Sequence, residues 1–138
     1  MKPTVKVLAL LTLSLLVQAC SRKIDFQNSA VVPAARGNVK LSTDRNKNYV
    51  IDVSIQNLAE VERLSPARKV YIVWMVSDKS ATKNIGQINS GTGRLNRKLN
   101  ASFEAVSSFK PSEVFITAED DATVSIPGSQ MIITTGKF

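Results

Sequence analysis

Histidine is absent from all 138 positions, and cysteine occurs once, at Cys20. Without an imidazole there is no Ser-His-Asp triad, no Cys-His pair, no histidine-ligated zinc and no side chain that ordinarily titrates near neutral pH. A lone cysteine has no partner within the chain for a disulfide, so the folded part is stabilised by packing. Carboxylates, lysines and hydroxyls remain as reactive groups, and none recurs at a spacing that a mechanism requires. The chain therefore reads as a non-enzyme, with no cofactor and no metal site. Its densest acidic group, Glu119-Asp120-Asp121, offers oxygens to a hard cation, but neighbouring side chains of an extended segment point to opposite sides, and a solvated turn is the expectation. Aromatic residues make up only 6% of the chain and do not interleave with its basic residues, which argues against nucleic acid as a partner.

Long apolar runs are also missing. The uncharged stretch from Val7 to Val17 is the most apolar segment, and as a helix it would rise only about 17 Å against a hydrocarbon core of roughly 30 Å. A stable membrane span is not expected. Basic Lys2 and Lys6 precede this stretch, and small Ala19 sits just before Cys20, the layout of a cleaved export signal. The ending Leu16-Val17-Gln18-Ala19-Cys20 resembles a bacterial lipoprotein signal. That resemblance implies removal of residues 1–19 and lipidation of Cys20, through a thioether to diacylglycerol and acyl chains such as palmitate on the new amino group. At about 0.8 kcal/mol per buried methylene, two or more chains hold a domain on a membrane. The other reading of the same residues is an ordinary secretory signal cut near Ala19, with Cys20 left as a free thiol. By analogy with Gram-negative lipoproteins, Ser21 rather than aspartate after the cysteine points to the outer membrane, facing the periplasm.

Removal of 19 residues from 138 leaves 119, the size of one domain. Two of the eighteen basic residues go with the signal, so 16 basic face 11 acidic side chains in the mature chain. This modest excess suits a solvated face, with attraction for anionic lipid headgroups or wall polymers as the second reading. Residues 20–37 read as the lipidated cysteine and a tether, since Pro33, Ala34-Ala35 and Gly37 interrupt any period. From Asn38 the period is that of strands. Val39 and Leu41 alternate with polar neighbours, and Ile51, Val53 and Ile55 share one face of Tyr49 to Ile55. The turn Thr43 to Asn48 between them predicts a hairpin. Lys69 to Ser77 is apolar on both faces and is expected at the centre of a sheet. Shorter strands are predicted at Ile85 to Ile88, Leu95 to Leu99, Ser102 to Val106, Glu113 to Ala118 and Gln130 to Thr135, separated by turn signals such as Lys110-Pro111-Ser112 and Pro127-Gly128. Leu58, Val61 and Leu64 recur three apart and predict a helical turn ended by Pro66. Seven or eight short strands and little helix give an all-β fold, an antiparallel, immunoglobulin-like β-sandwich over 38–138.

The run Tyr71-Ile72-Val73-Trp74, then Gly86, then Val114-Phe115-Ile116-Thr117-Ala118-Glu119, Pro127 and a last strand ending at Gly136 resembles the extracytoplasmic C-terminal domain of anti-sigma-K factors over about Val50 to Phe138. The resemblance implies the same sandwich, with Tyr71, Trp74, Thr117 and Glu119 as its core motif residues. It does not carry over sigma-factor binding, which in that family belongs to a separate cytoplasmic segment not matched here. Trp74 and Tyr71 are expected in the core, and Thr117 and Glu119 on the polar face of a strand, paired across it. For a partner surface the expectation falls on the loop Asn89, Ser90, Gly91, Thr92, Gly93 with the following Arg94, Arg97 and Lys98, because flexible loops commonly carry contacts. The expected role is a lipid-anchored interaction or sensing module of the cell envelope, with the membrane and an envelope protein as partners. The alternative is an envelope small-ligand binder or an enzyme working with carboxylates or hydroxyls, which would need a deep pocket with converging polar groups. A structural subunit joined through exposed sheet edges is the third.

Overall fold

The computed structural model describes residues 20–92 and 99–138. They form two antiparallel sheets packed as a β-sandwich. The first carries β1 (Arg22–Asp25), β2 (Arg36–Thr43), β3 (Tyr49–Gln56), β7 (Leu99–Ser107) and β6 (Gly91–Thr92) in the order β1-β2-β3-β7-β6, and the second carries β4 (Val70–Ser77), β5 (Thr82–Ile88), β8 (Pro111–Glu119) and β9 (Met131–Thr134) in the order β5-β4-β8-β9. The chain changes sheets between β3 and β4, between β5 and β6, and between β7 and β8, so each sheet mixes strands distant in sequence. The predicted strand Leu95 to Leu99 lies, apart from Leu99, outside the described residues.

Alternation decides which side chains meet. Val39, Ile51, Val53, Ile55 and Ala101 of the first sheet face Tyr71, Val73, Met75, Val114, Ile116 and Ala118 of the second, and together they make the inter-sheet core. Strand β4 is flanked by β5 and β8, as its two apolar faces require. The β2–β3 hairpin is closed by Asp44, whose Oδ1 accepts from the Asn46 and Asn48 amides at 2.8 and 2.9 Å while Lys47 takes φ 64°. These bonds, those of Asn48 first, hold the Asp44 carboxyl below its usual range. The predicted helical turn is a 3₁₀ turn, Val61–Arg63, in the β3–β4 connection, whose Leu58, Val61 and Leu64 are all buried in the core.

The expected tether over 20–37 is not free chain. Arg22–Asp25 pairs residue for residue with β2, from Arg22 opposite Leu41 to Asp25 opposite Asn38. Phe26, Ser29, Val32 and Ala35 are buried, and the Gln27 amide donates to the Thr134 carbonyl at 2.8 Å. Ser29 Oγ donates to the Ile132 carbonyl and accepts from the Val32 amide at 2.9 Å. The segment is drawn in because β9 has a free hydrogen-bonding edge, and residues 27–29 satisfy it. Cys20 thus stands two residues from the sheet.

Gly86 has a packing reason. It lies at the register shift between β4 and β5 with φ 144°, and a Cβ there would come within 2.6 Å of the Phe103 ring, which reaches across from β7.

Candidate functional site

Three of the four motif residues meet, and they meet on the outer face of the second sheet rather than between the sheets. Ile72, Trp74 and Phe115 form a separate buried cluster, with Val70, Val76 and Val124 packed against it. The Trp74 and Phe115 rings stack with centroids 6.2 Å apart and planes 12° from parallel. The indole Nε1 donates to Thr117 Oγ1 at 2.7 Å, and that hydroxyl donates in turn to Glu119 Oε1 at 2.6 Å. Glu119 Oε1 also accepts from the Gly128 amide at 2.7 Å. A Cβ on residue 128 would stand 2.7 Å from Glu119 Oε2, so glycine lets the backbone approach.

Thr117 and Glu119 are therefore buried, not on an open polar face, and the acidic group is not a uniformly solvated turn. What covers them is the connection 120–130, which crosses the outer face as a strap. Asn84 Nδ2 of β5 donates to the Ala122 and Val124 carbonyls at 3.0 and 2.9 Å. Arg68 pins its ends, with Nη1 on Asp120 Oδ2 at 2.7 Å and Nε on Gln130 Oε1 at 2.9 Å. Asp121 accepts from the Thr123 amide and hydroxyl, which lowers its carboxyl from the ordinary value. The three adjacent carboxylates thus have three separate duties and do not converge. Among the described residues no group of three or more metal-ligating side chains comes together.

Tyr71, the fourth motif residue, points the other way, into the inter-sheet core, where its hydroxyl donates to the Ala59 carbonyl at 2.8 Å. Burial, with Glu62 adding repulsion, pushes its pKa up from 10.0 to about 12. The folded state favours the neutral phenol, so stability from this group is complete below pH 10 and is lost as pH rises towards 12. Tyr71→Phe is expected to be less stable than the parent at neutral pH by about 1 kcal/mol, the lost hydrogen bond. Urea midpoints through the alkaline window should bring the two proteins together, and a gap that stays constant to pH 12 would rule out the ionisation.

The expected partner loop is partly built into the fold. Ser90 Oγ donates to the same Ala59 carbonyl at 3.2 Å, Asn89 Oδ1 accepts from Gln87 Nε2 at 3.0 Å, and Gly91–Thr92 pair with Asn100 and Leu99 as β6. Gly93, Arg94, Arg97 and Lys98 lie outside the described residues. Because Asn100 is opposite Gln56 and Gly91 is opposite Asn100, this loop emerges at the end of the sandwich where β3 finishes.

Cys20 is exposed at the other end, where β3 begins. A shallow groove of about 200 Å³ opens beside it, lined among others by Arg22, Leu41, Tyr49, Pro111 and Phe138. The guanidinium of Arg22 lies 5.5 Å from the centre of the Phe138 ring. Among the described residues no helix is long and apolar enough to cross a membrane. No family model, curated protein or solved structure matches the chain.

Proposed function

We propose that the chain is a lipid-anchored β-sandwich of the cell envelope that works as a protein-interaction or sensing module. The observation that carries this reading is polarity: the exposed Cys20 and the loop Asn89–Thr92 lie at opposite ends of one rigid sandwich. An acyl group on Cys20 would turn that loop away from the membrane and towards a neighbour. The open, shallow form of the groove beside Cys20 also suits a scaffold better than a small-molecule pocket.

The likeness to the extracytoplasmic domain of anti-sigma-K factors belongs to the same reading. It is supported by the motif residues, since Trp74, Thr117 and Glu119 form one hydrogen-bonded chain that holds the outer strap. An immunoglobulin-like assignment is supported by the order β2-β3-β7-β6 against β5-β4-β8-β9. Ser21 favours placement on the outer membrane, facing the periplasm.

Two measurements test the proposal. Replacing Cys20 with Ser should move the protein out of the membrane fraction after a high-salt wash, and undiminished retention would reject the anchor. A photo-crosslinking residue at Asn89 should capture a defined envelope protein in intact cells, whereas one at Ser108, on the Cys20 end, should not. Equal capture from both positions would reject the assigned polarity.

A further inference from the structure

The charges are not spread evenly along the sandwich. The Cys20 end collects the start of β1, the β2–β3 turn, the β4–β5 turn, the β7–β8 connection and the C-terminal segment, because Tyr49 is opposite Ser107, Ser77 is opposite Pro111 and the Phe138 amide donates to the Ser112 carbonyl. These five segments bring together Arg22, Arg45, Lys47, Lys79, Lys83, Lys110 and Lys137, all exposed, against Asp44, Asp78 and Glu113, the last opposite Val76 at the start of β8. Among the described residues none of the seven cations forms an ion pair, whereas at the far end Arg63 pairs with Glu60 and Arg68 with Asp120, each at 2.7 Å. Asp44 is occupied by its own turn.

An exposed aromatic side chain stands at this basic end. Phe109 is 38% exposed, and Lys83 Nζ lies 4.2 Å and Lys79 Nζ 5.9 Å from its ring centre. An exposed aromatic ring flanked by two ammonium groups is an arrangement that suits the interface of a membrane, where apolar and charged atoms meet acyl and headgroup layers.

We infer that this end is a docking surface for anionic phospholipid, with Phe109 entering the headgroup layer and Lys79, Lys83, Lys110, Arg22, Arg45 and Lys47 meeting the phosphates around it. The orientation rests on the anchor reading, because Cys20 lies two residues before Arg22 and so, by chain reach, within about 7 Å of it. The charge distribution does not. Lipid on Cys20 would leave no spacer, and the basic end would be pressed against the surface, fixing the sandwich upright. The contact alone is electrostatic and reversible, weakening with salt.

The test uses residues 20–138 with Cys20→Ser, which contain every residue of both buried clusters and carry no lipid. Sedimentation with vesicles of equal parts phosphatidylglycerol and phosphatidylcholine should exceed that with phosphatidylcholine alone and fall as salt rises. Joint Lys79→Glu and Lys110→Glu should lower the partition coefficient by more than tenfold, since each basic residue contributes about fivefold. Lys69→Glu at the far end should change it little, and both variants should melt like the parent because all three lysines are exposed. Phe109→Ser should weaken binding without altering its salt dependence. Equal binding to neutral vesicles, or equal losses from Lys69→Glu and the paired variant, would overturn the assignment. Failure of the anchor reading would appear separately, as membrane retention of Cys20→Ser in cells after the high-salt wash.

Discussion

Trp74→Ala is expected to lower the unfolding free energy by about 3–5 kcal/mol, the cost of emptying a large, fully buried site. Two losses combine. The stacked Phe115 and the neighbouring Val124 lose their packing partner, and Thr117 Oγ1 loses the indole donor. The effect is notable because the cluster lies on the outside of the second sheet, where a substitution would ordinarily be tolerated. Denaturant unfolding of the variant gives the answer directly. A loss below about 1 kcal/mol would mean that the outer layer does not unfold with the inter-sheet core.

Glu119→Ala should cost about 2–4 kcal/mol by a different route. It leaves the Thr117 hydroxyl and the Gly128 amide without their acceptor, and a buried donor left unpaired costs about 1–3 kcal/mol. The damage should be concentrated in the strap. Amide exchange across 120–130 should accelerate, while the amides of β3 remain protected. Glu119→Gln retains Oε1 as an acceptor and should recover most of the loss. If Gln proves as harmful as Ala, the carboxyl is there for its charge and not for the two hydrogen bonds.

Strand positions were legible because alternation reports them locally: Ile51, Val53 and Ile55 point inward wherever the second sheet lies, and both apolar faces of Lys69 to Ser77 require a central place. The first strand gave no such signal. Arg22-Lys23-Ile24-Asp25 has one apolar residue in four, and its attachment depends on a free edge of β2 that only the folded structure supplies. The burial of Thr117 and Glu119, which the resemblance implies, is not legible in the strand pattern for a related reason. On β8 they look like the polar side of a half-exposed strand, and nothing nearby in sequence shows that residues 120–130 return over them. Pro127-Gly128 marks a turn, but the closeness that makes Gly128 matter is to a carboxyl nine residues earlier. The basic end was equally hidden, since its seven cations come from five separate segments and never form a run.

The pairing of β1 with β2 also determines how the domain carries tension. Cys20 leaves from the end of β1, so a pull applied to it would act along the strand axis. The ladder from Arg22 and Leu41 to Asp25 and Asn38 lies across that axis, and its bonds share the load instead of opening one after another like a zipper. Behind them, Phe26, Ser29, Val32 and Ala35 are held in the interior and Gln27 and Ser29 grip β9, so the strain passes into both sheets at once. A sandwich loaded at Cys20 would resist shear at that end and pass the displacement to the far loops as tilting of the whole body.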